Sequence, residues 1–224
     1  MALRNIQKNG EPVLGKKSKH VSRFDSRLAL LVGDMKETLK DANGVGLAAP
    51  QVGVLKRVIV IDAGGEAGAV ELVNPEITER EGEQVYYEGC LSYPGYFGNV
   101  GRPESLTVRA SDAYGEGVAY RATGIYAVAC CHEADHLEGE MFMKKVKGPL
   151  YTLEEVKELR EKDRAERGAA AKKEAAKTEK NAPVGKSAPA VRSPGAGENG
   201  DNGGSGRHGD DENTPEGLFI KLDL

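Results

Sequence analysis

The sequence predicts an α+β fold, in which antiparallel or mixed sheets pack around a central helix. Strand-like segments rich in β-branched residues are grouped within residues 57–123. They do not alternate with helices, as the strands of βαβ units would. Helical patterns flank this group, at residues 26–40 before it and from residue 124 after it.

Each predicted element follows from its own pattern. Residues 26–40 place their large apolar side chains at the spacing of one helical face. A second helix is predicted over residues 124–139, and a third opens at Thr152, which can form a capping box with Glu155. The strands are predicted from runs of Val, Ile, Thr and Tyr bounded by Gly or Pro. They cover residues 57–62, 70–77, 83–94, 105–112 and 117–123.

Composition limits the class of protein. The 224 residues, 39% apolar and 29% charged, suffice for one domain with its own core. A net charge of -4 does not favour nucleic acid, so no DNA partner is expected. Three cysteines, two of them adjacent, favour a reducing compartment over a disulfide framework. The sequence predicts neither a secretory leader nor a membrane span, and therefore a cytoplasmic protein without a membrane partner.

The composition changes near residue 166. Ala, Lys and Glu dominate first, and Gly, Pro, Ser and Asn follow, with few large apolar residues to offset the entropy of ordering. We therefore predict a globular domain over residues 1–166 and a low-complexity, mostly disordered extension over residues 167–224. Its final string, "LFIKLDL", fits either an edge strand or a segment that docks on a partner.

The motif with the clearest chemistry is "HEADH", residues 132–136, in the second predicted helix. His132 and His136 are four residues apart, so both imidazoles lie on one helical face and can bind one metal ion. Glu133 lies next to that ion, which suits a general base acting on water. The alternative is a surface helix with two ordinary histidines. It is disfavoured because this face should be buried, and buried imidazoles need partners.

A catalytic metal ion needs a third protein ligand. The downstream candidates are Glu138 and Glu140. The upstream candidate is Cys90 in "EGCLSYP", at the end of a predicted strand, although a cysteine there also fits a small buried hydrophobe. A further stretch, "GVGLAAPQVG" (44–53), allows close backbone approach at its glycines, and it also fits a plain turn.

Together these stretches resemble the peptide deformylases, whose signatures are GxGxAAxQ, EGCxS and HExDH. Here they stand in the family's order as "GVGLAAPQ" (44–51), "EGCLS" (88–92) and "HEADH" (132–136). The resemblance implies a hydrolase that removes the formyl group from the N-terminal formyl-methionine of newly made polypeptides and releases formate. It also implies nascent formyl-Met polypeptides as partners and a bacterial cytoplasm as the location.

The resemblance further implies roles for single residues. One divalent ion is expected, Fe(2+) natively, although a thiolate and two imidazoles also suit Zn(2+), Ni(2+) or Co(2+). Glu133 is the expected general base. The Gln51 side chain and the Leu91 backbone N–H are expected to donate to the formyl oxygen. The implied metal ligands are Cys90, His132 and His136.

The substrate-binding residues are implied in the same way. The peptide main chain is expected to pair with the backbone at Val45, Gly46 and Gly89 as an added strand. An apolar slot should hold the methionine side chain, although its helix positions also fit an ordinary core. The slot positions are Val45, Tyr86, Ile125, Val128 and Ala129.

Further charged residues and cysteines lie in or near the motifs. Glu88 and Arg102 match positions that pair in the family, and Asp135 can join them. From the sequence alone, each of the three fits a solvated surface charge better. Cys130 and Cys131 are interpreted as packing residues.

Two other functions compete with this interpretation. A zinc endopeptidase would share "HEADH", but it gives no reason for "EGCLS" or "GVGLAAPQ". A catalytically inactive binding protein on the same fold would be expected to lack a ligand or the base, yet all of them are present. The stretch 153–180 is a candidate for docking at the ribosome, although acidic residues interleave its basic ones.

Overall fold

The computed structural model of the protein describes residues 2–62, 64, 68–162, 164–165 and 219–222. Met1–Lys157 and Pro215–Leu224 form one compact unit, and Glu158–Thr214 forms a second, of which residues 158–162 and 164–165 are described and helical. The predicted disorder of residues 167–224 therefore falls mostly outside the described residues. Among the described helices, none has the length and apolarity needed to cross a bilayer.

The described residues form three α-helices and nine β-strands. The helices are α1 (Ser26–Asp41), α2 (Gly124–Leu137) and α3, which covers residues 153–162 and 164–165. The first five strands are β1 (Gly46–Ala48), β2 (Val58–Asp62), β3 (Ala69–Glu81), β4 (Gln84–Cys90) and β5 (Tyr93–Arg102). The last four are β6 (Ser105–Ser111), β7 (Gly117–Thr123), β8 (Leu150–Thr152) and β9 (Phe219–Leu222).

The strands form two antiparallel sheets, which confirms the predicted α+β class. The larger sheet has the order β1-β2-β3-β6-β7-β9, and the smaller has the order β4-β5-β8. Successive residues of β2 point to opposite faces: Val58 and Val60 pack with α1, while Ile59 and Ile61 pack with α2. The larger sheet therefore lies between α1 and α2. Because α2 is covered by protein on most sides, it carries buried side chains around its circumference and not along one stripe.

Several predicted elements are confirmed. The helix α1 has its predicted apolar face buried, and the Asp25 side chain caps it by accepting from the Leu28 N–H at 3.0 Å. The capping box of α3 is also formed. The Thr152 N–H donates to the Glu155 carboxylate at 2.7 Å, and the Glu155 N–H donates to the Thr152 hydroxyl at 3.3 Å.

The predicted single strand over 83–94 is wrong. The strand β4 ends at Cys90, the chain turns through Leu91 and Ser92, and β5 begins at Tyr93, which is the register partner of Cys90. The sequence "YPGYFGNVGR" of β5 has too many glycines to match a strand pattern, so pairing with β4 determines its structure. As a result, Cys90 lies at a tight turn at the end of a strand.

The string "LFIKLDL" includes an edge strand of the larger sheet, one of the two possibilities that the sequence left open. The strand β9 is antiparallel to β7, with Phe219 opposite Ala122. The Phe219 ring stacks on Tyr120 at a centroid distance of 4.7 Å and lies 5.8 Å from the ring of Tyr126 in α2. This strand therefore covers an edge of the sheet and contacts the central helix.

We expect Phe219→Ala to lower the stability of the protein. Phe219 is half-buried between two aromatic rings, so its loss should cost about 1 to 2 kcal/mol of unfolding free energy. For a chain of this size, that corresponds to a fall in melting temperature of about 2 to 8 °C. Ile220→Ala is the control, because Ile220 lies in the same strand but is 52% exposed. Equal melting temperatures for the two variants would contradict this role of β9.

Candidate active site

The helix α2 and the end of β4 bring three potential metal ligands together. His132 and His136 lie one turn apart on α2, with ring centroids separated by 5.0 Å. The Cys90 sulfur lies 3.3 Å from Nε2 of His136. The ligand atoms of all three side chains lie within 4.8 Å of one another.

The chemistry of these donors suits a divalent cation. Burial opposes a charge on His132, but the Cys90 sulfur and the Glu88 carboxylate outweigh burial and raise the His132 pKa well above its ordinary value. For His136, burial and the neighbouring His132 lower the pKa well below the ordinary value. One sulfur and two buried imidazoles thus converge, and such a donor set is common for Zn(2+) and related ions.

Glu133 is 4% exposed and lies against the backbone of β1. A Cβ atom at Gly46 would come within 2.6 Å of the Glu133 Oε1, so glycine is required for this close approach. The other carboxylate oxygen, Oε2, is buried without a hydrogen-bond partner among the described residues. Burial raises the Glu133 pKa to about 7, so this carboxylate can both take up and release a proton near neutral pH.

Gln51 is held rigidly beside the cysteine. Its Oε1 accepts from the Ala48 N–H at 2.7 Å, which turns its Nε2 towards the Cys90 sulfur at 3.6 Å and the Ser92 hydroxyl at 3.3 Å. Leu91 lies in the turn between β4 and β5, between the two residues that this amide group contacts, Cys90 and Ser92. The two predicted donors to the formyl oxygen therefore come from segments that meet at Cys90.

Ser92 is a site residue to which the sequence analysis gave no role. It is fully buried, its hydroxyl accepts from Gln51, and its backbone N–H donates to the Cys90 sulfur at 3.4 Å. Its position as the last residue of the motif "EGCLS" is the feature of the sequence that could have identified it as a site residue.

A buried ionic network supports His132. The His132 Nδ1 lies 2.8 Å from the Glu88 carboxylate, and Arg102 binds the same carboxylate through two nitrogens at 2.6 and 3.0 Å. Arg102 also donates to Asp135 at 2.8 Å, and Asp135 in turn accepts from Lys145 at 2.5 Å. Burial would raise the Glu88 pKa, but hydrogen bonds from His132 and Arg102 lower it, so Glu88 stays ionised.

The prediction of a solvated charge is thus wrong for Glu88 and Arg102, which are both buried, and Asp135 is only partly exposed. A charged residue in a strand looks solvated in the sequence, because its partner is distant along the chain.

The two downstream ligand candidates do not belong to the Cys90, His132 and His136 cluster. Glu138 pairs with Lys17 and Arg57, and Glu140 pairs with Lys145.

The predicted substrate residues are distributed over three elements. Val45, Ile125 and Ala129 pack in the same core cluster as the inner face of α2, and Val128 is also buried. Tyr86 and Gly89 lie in β4, an edge strand of the smaller sheet, while Gly46 begins β1, an edge strand of the larger one. Both edges are geometrically suited to pair with an added strand.

We expect Arg102→Met to destabilise the protein and weaken its hold on a metal ion. Removing one partner leaves the Glu88 charge buried and uncompensated, which should cost about 3 to 5 kcal/mol of unfolding free energy. Loss of the group that orients His132 should reduce metal affinity by about 10- to 100-fold. Thermal unfolding and titration of the metal-free protein with Co(2+) measure the two effects.

Arg121→Met is the matched control for Arg102→Met. Its partner Glu81 is 66% exposed, and such surface pairs contribute about 0 to 1 kcal/mol. If Arg102→Met were as mild as this control in both measurements, the network would have no role in supporting His132.

A Cys/His/His cluster with an adjacent buried carboxylate on this fold defines a metal-dependent hydrolase. Residues 3–150 match the family model described as polypeptide deformylase. The chain therefore belongs to the polypeptide deformylase family.

Individual relatives agree with this assignment. The chain is 54% identical over 146 residues to the peptide deformylase of Caldicellulosiruptor bescii, covering 65% of this chain and 87% of that one. It is 53% identical to that of Acetivibrio thermocellus, over 65% and 85% of the two chains. The crystal structure of a peptide deformylase from Legionella pneumophila superposes with a TM-score of 0.63 at 39% identity, covering 75% of this chain and 98% of that one.

Proposed function

We propose that Cys90, His132 and His136 hold one divalent metal ion, and that Glu133 carries protons in the reaction beside it. The enzyme removes the N-terminal formyl group from newly made polypeptides and releases formate. The observation that carries the residue assignment is the convergence of the three ligand atoms within 4.8 Å, next to a buried carboxylate with a free oxygen.

A divalent ion bound at this cluster supplies Lewis acidity to the hydrolysis. Glu133 takes a proton from the attacking water, whose oxygen forms a bond to the formyl carbon. The same carboxyl group then gives that proton to the amide nitrogen, and the C–N bond breaks to release formate and a free amine. Both transfers need a group that exchanges protons near neutral pH, which matches the raised pKa of Glu133.

Charge develops on the formyl oxygen during attack, and Gln51 and Leu91 are proposed to stabilise it. The Gln51 amide cannot turn freely because Ala48 holds its oxygen, so its N–H group is fixed before the substrate binds. Donors oriented in advance stabilise a transition state without further reorganisation.

We assign the methionine slot to Val45, Tyr86, Ile125, Val128 and Ala129. The last three lie on α2, close in sequence to His132, so a side chain in this slot would place its own backbone near the metal ligands. The backbone at Val45, Gly46 and Gly89 would pair with the substrate main chain. Recognition through main-chain pairing does not read later side chains, which suits an enzyme that acts on many different nascent chains.

The identity of the metal and the limits of the catalytic domain are also proposals. We propose Fe(2+) as the native ion, with Zn(2+), Ni(2+) and Co(2+) able to bind the same donors. We propose that residues 1–166, together with the strand β9, make up the catalytic domain, and that the enzyme works in the bacterial cytoplasm, where nascent chains emerge.

Docking at the ribosome through the stretch 153–180 stays a prediction. Within the described residues 153–162 there are four acidic and three basic side chains, so this part of the helix does not present a net positive charge to RNA. Co-sedimentation with ribosomes at low and high salt tests the idea. Binding that is independent of salt and unchanged after truncation at Gly168 would contradict it.

Formate release from a short formyl-Met peptide is the decisive test of the function. The proposed function predicts one formate and one free N-terminus for each peptide consumed. A zinc endopeptidase would instead cleave internal peptide bonds without releasing formate. An inactive binding protein would leave the peptide chemically unchanged. Internal cleavage without formate, or an unchanged peptide, would overturn the proposal.

A further inference from the structure

Residues 7–9 run along both loops that carry the proposed donors to the formyl oxygen. The Gln7 N–H donates to the Gln51 carbonyl at 2.7 Å, and the Asn9 N–H donates to the Ser92 carbonyl at 2.8 Å. Between them, the Lys8 ammonium donates to the Leu91 carbonyl at 2.8 Å. Three consecutive residues thus each bond to one part of the site.

The backbone around Lys8 is fixed on both sides, so its side chain is held within reach of Leu91. In addition to the two backbone bonds, the Glu11 N–H donates to the Lys8 carbonyl at 3.0 Å and closes a turn in which Gly10 has φ of 102°. A positive φ of this kind favours glycine, which the sequence supplies. The ammonium is exposed, but it does not need to order a mobile backbone to reach its acceptor.

The peptide group that Lys8 binds also contacts the proposed metal ligand. Its carbonyl belongs to Leu91 and its N–H belongs to Ser92, and that N–H donates to the Cys90 sulfur at 3.4 Å. The two bonds are therefore in series: ammonium to carbonyl, then N–H of the same peptide to sulfur. Hydrogen bonds in such a chain polarise each other, because a cation at the oxygen makes the N–H a stronger donor.

We propose that Lys8 is a positioning residue that acts through the Leu91–Ser92 peptide to tune the Cys90 thiolate. Hydrogen bonds to a ligand sulfur withdraw electron density from it, and this is one of the ways in which a protein adjusts the electronic properties of a metal site. A stronger N–H···S bond leaves the thiolate a poorer electron donor and the bound cation a stronger Lewis acid. The proposal rests on the proposed function, since it takes Cys90 as the thiolate ligand.

The test compares Lys8→Met, Lys8→Arg and the wild type, each loaded with Co(2+). The sulfur-to-cobalt charge-transfer band reports the electron density on the thiolate without any need for turnover. We expect the band of Lys8→Met to move to longer wavelength, and kcat for a formyl-Met peptide to fall by about threefold to tenfold with KM unchanged. This fall in kcat is smaller than the one expected for a buried residue that supports a metal ligand, because Lys8 is exposed to water. Lys8→Arg should restore both readouts, since it keeps the charge and the donor.

Lys17→Met is the control, because it removes another exposed ammonium, one that pairs with Glu138 on the surface. It should leave the band and kcat as in the wild type. Melting temperatures establish that each variant is folded, and Lys8→Gln provides a second uncharged variant. An unshifted band in both uncharged Lys8 variants would overturn the proposal, even if kcat fell, as would a shift of the same size in Lys17→Met.

The proposed function can fail separately from this inference. A wild-type protein that neither binds Co(2+) nor releases formate would refute the proposed function, whatever the Lys8 variants do. A wild-type protein that does both, with Lys8→Met identical to it in band position and kcat, would refute the role of Lys8 alone.

Discussion

Glu133→Ala should abolish turnover while leaving the metal bound. Loss of a general base typically lowers the rate by about 10²- to 10⁴-fold, and here one carboxyl group serves two proton transfers, so we expect the upper end of this range or beyond. The metal content should not change, because Glu133 is not among the three converging ligands. Formate release and metal analysis of the same preparation measure both quantities.

Two further variants sharpen this prediction. Glu133→Gln keeps the shape of the side chain against Gly46 but cannot accept the proton, so it should be as inactive as the alanine variant. Glu138→Gln changes an acid near the end of the same helix that pairs with surface cations, and it should keep nearly full activity. More than about a tenth of wild-type activity in Glu133→Ala, at unchanged metal content, is incompatible with the assigned role.

Cys90→Ser should keep the fold but lose most of the activity and most of the bound metal. A neutral hydroxyl is a much weaker ligand than a thiolate, and two imidazoles alone do not hold a catalytic ion well. The position is half-buried at a strand end, so the exchange of sulfur for oxygen disturbs little packing. Metal content, formate release and melting temperature together separate ligand loss from unfolding.

The other two cysteines provide the controls within the same chain. Cys130 and Cys131 are residues of α2 that are buried in the core cluster, and burial raises the pKa of both thiols. Cys130→Ser and Cys131→Ser should therefore keep their metal, with at most a moderate loss of stability from a buried hydroxyl. Normal metal binding in Cys90→Ser together with metal loss in Cys131→Ser would show that the ligand had been assigned to the wrong cysteine.

The sequence predicted the local elements well where a pattern lies within one segment. The apolar face of α1, the strands β6 and β7, and the spacing of His132 and His136 are local properties, and the structure contains them. The strand β1 has three residues and β5 is rich in glycine, so neither carries a periodic signal. Pairing with another strand, β2 for β1 and β4 for β5, determines both.

The supporting contacts of the site were harder to predict for the same physical reason. The ionic partners Glu88 and Arg102 are separated by the end of β4, a turn and nearly all of β5, and each resembles an exposed charge when it is considered alone. The contact between Lys8 and Leu91 spans 83 residues and uses a backbone carbonyl, which has no signature in the sequence. The motifs located the proposed ligands, whereas the groups that orient them depend on the tertiary structure.

The position of β9 changes what a single cut in the chain would do. Residues 166–218 connect α3 to β9, and β9 is hydrogen-bonded to β7 in the larger sheet. While the chain is intact, β9 binds β7 as an intramolecular ligand, so its effective concentration at β7 is high. After one cleavage within 166–218, the released piece would stay in place only by its own affinity. Dilution of the nicked protein should then release this fragment, whereas the intact protein should be insensitive to dilution.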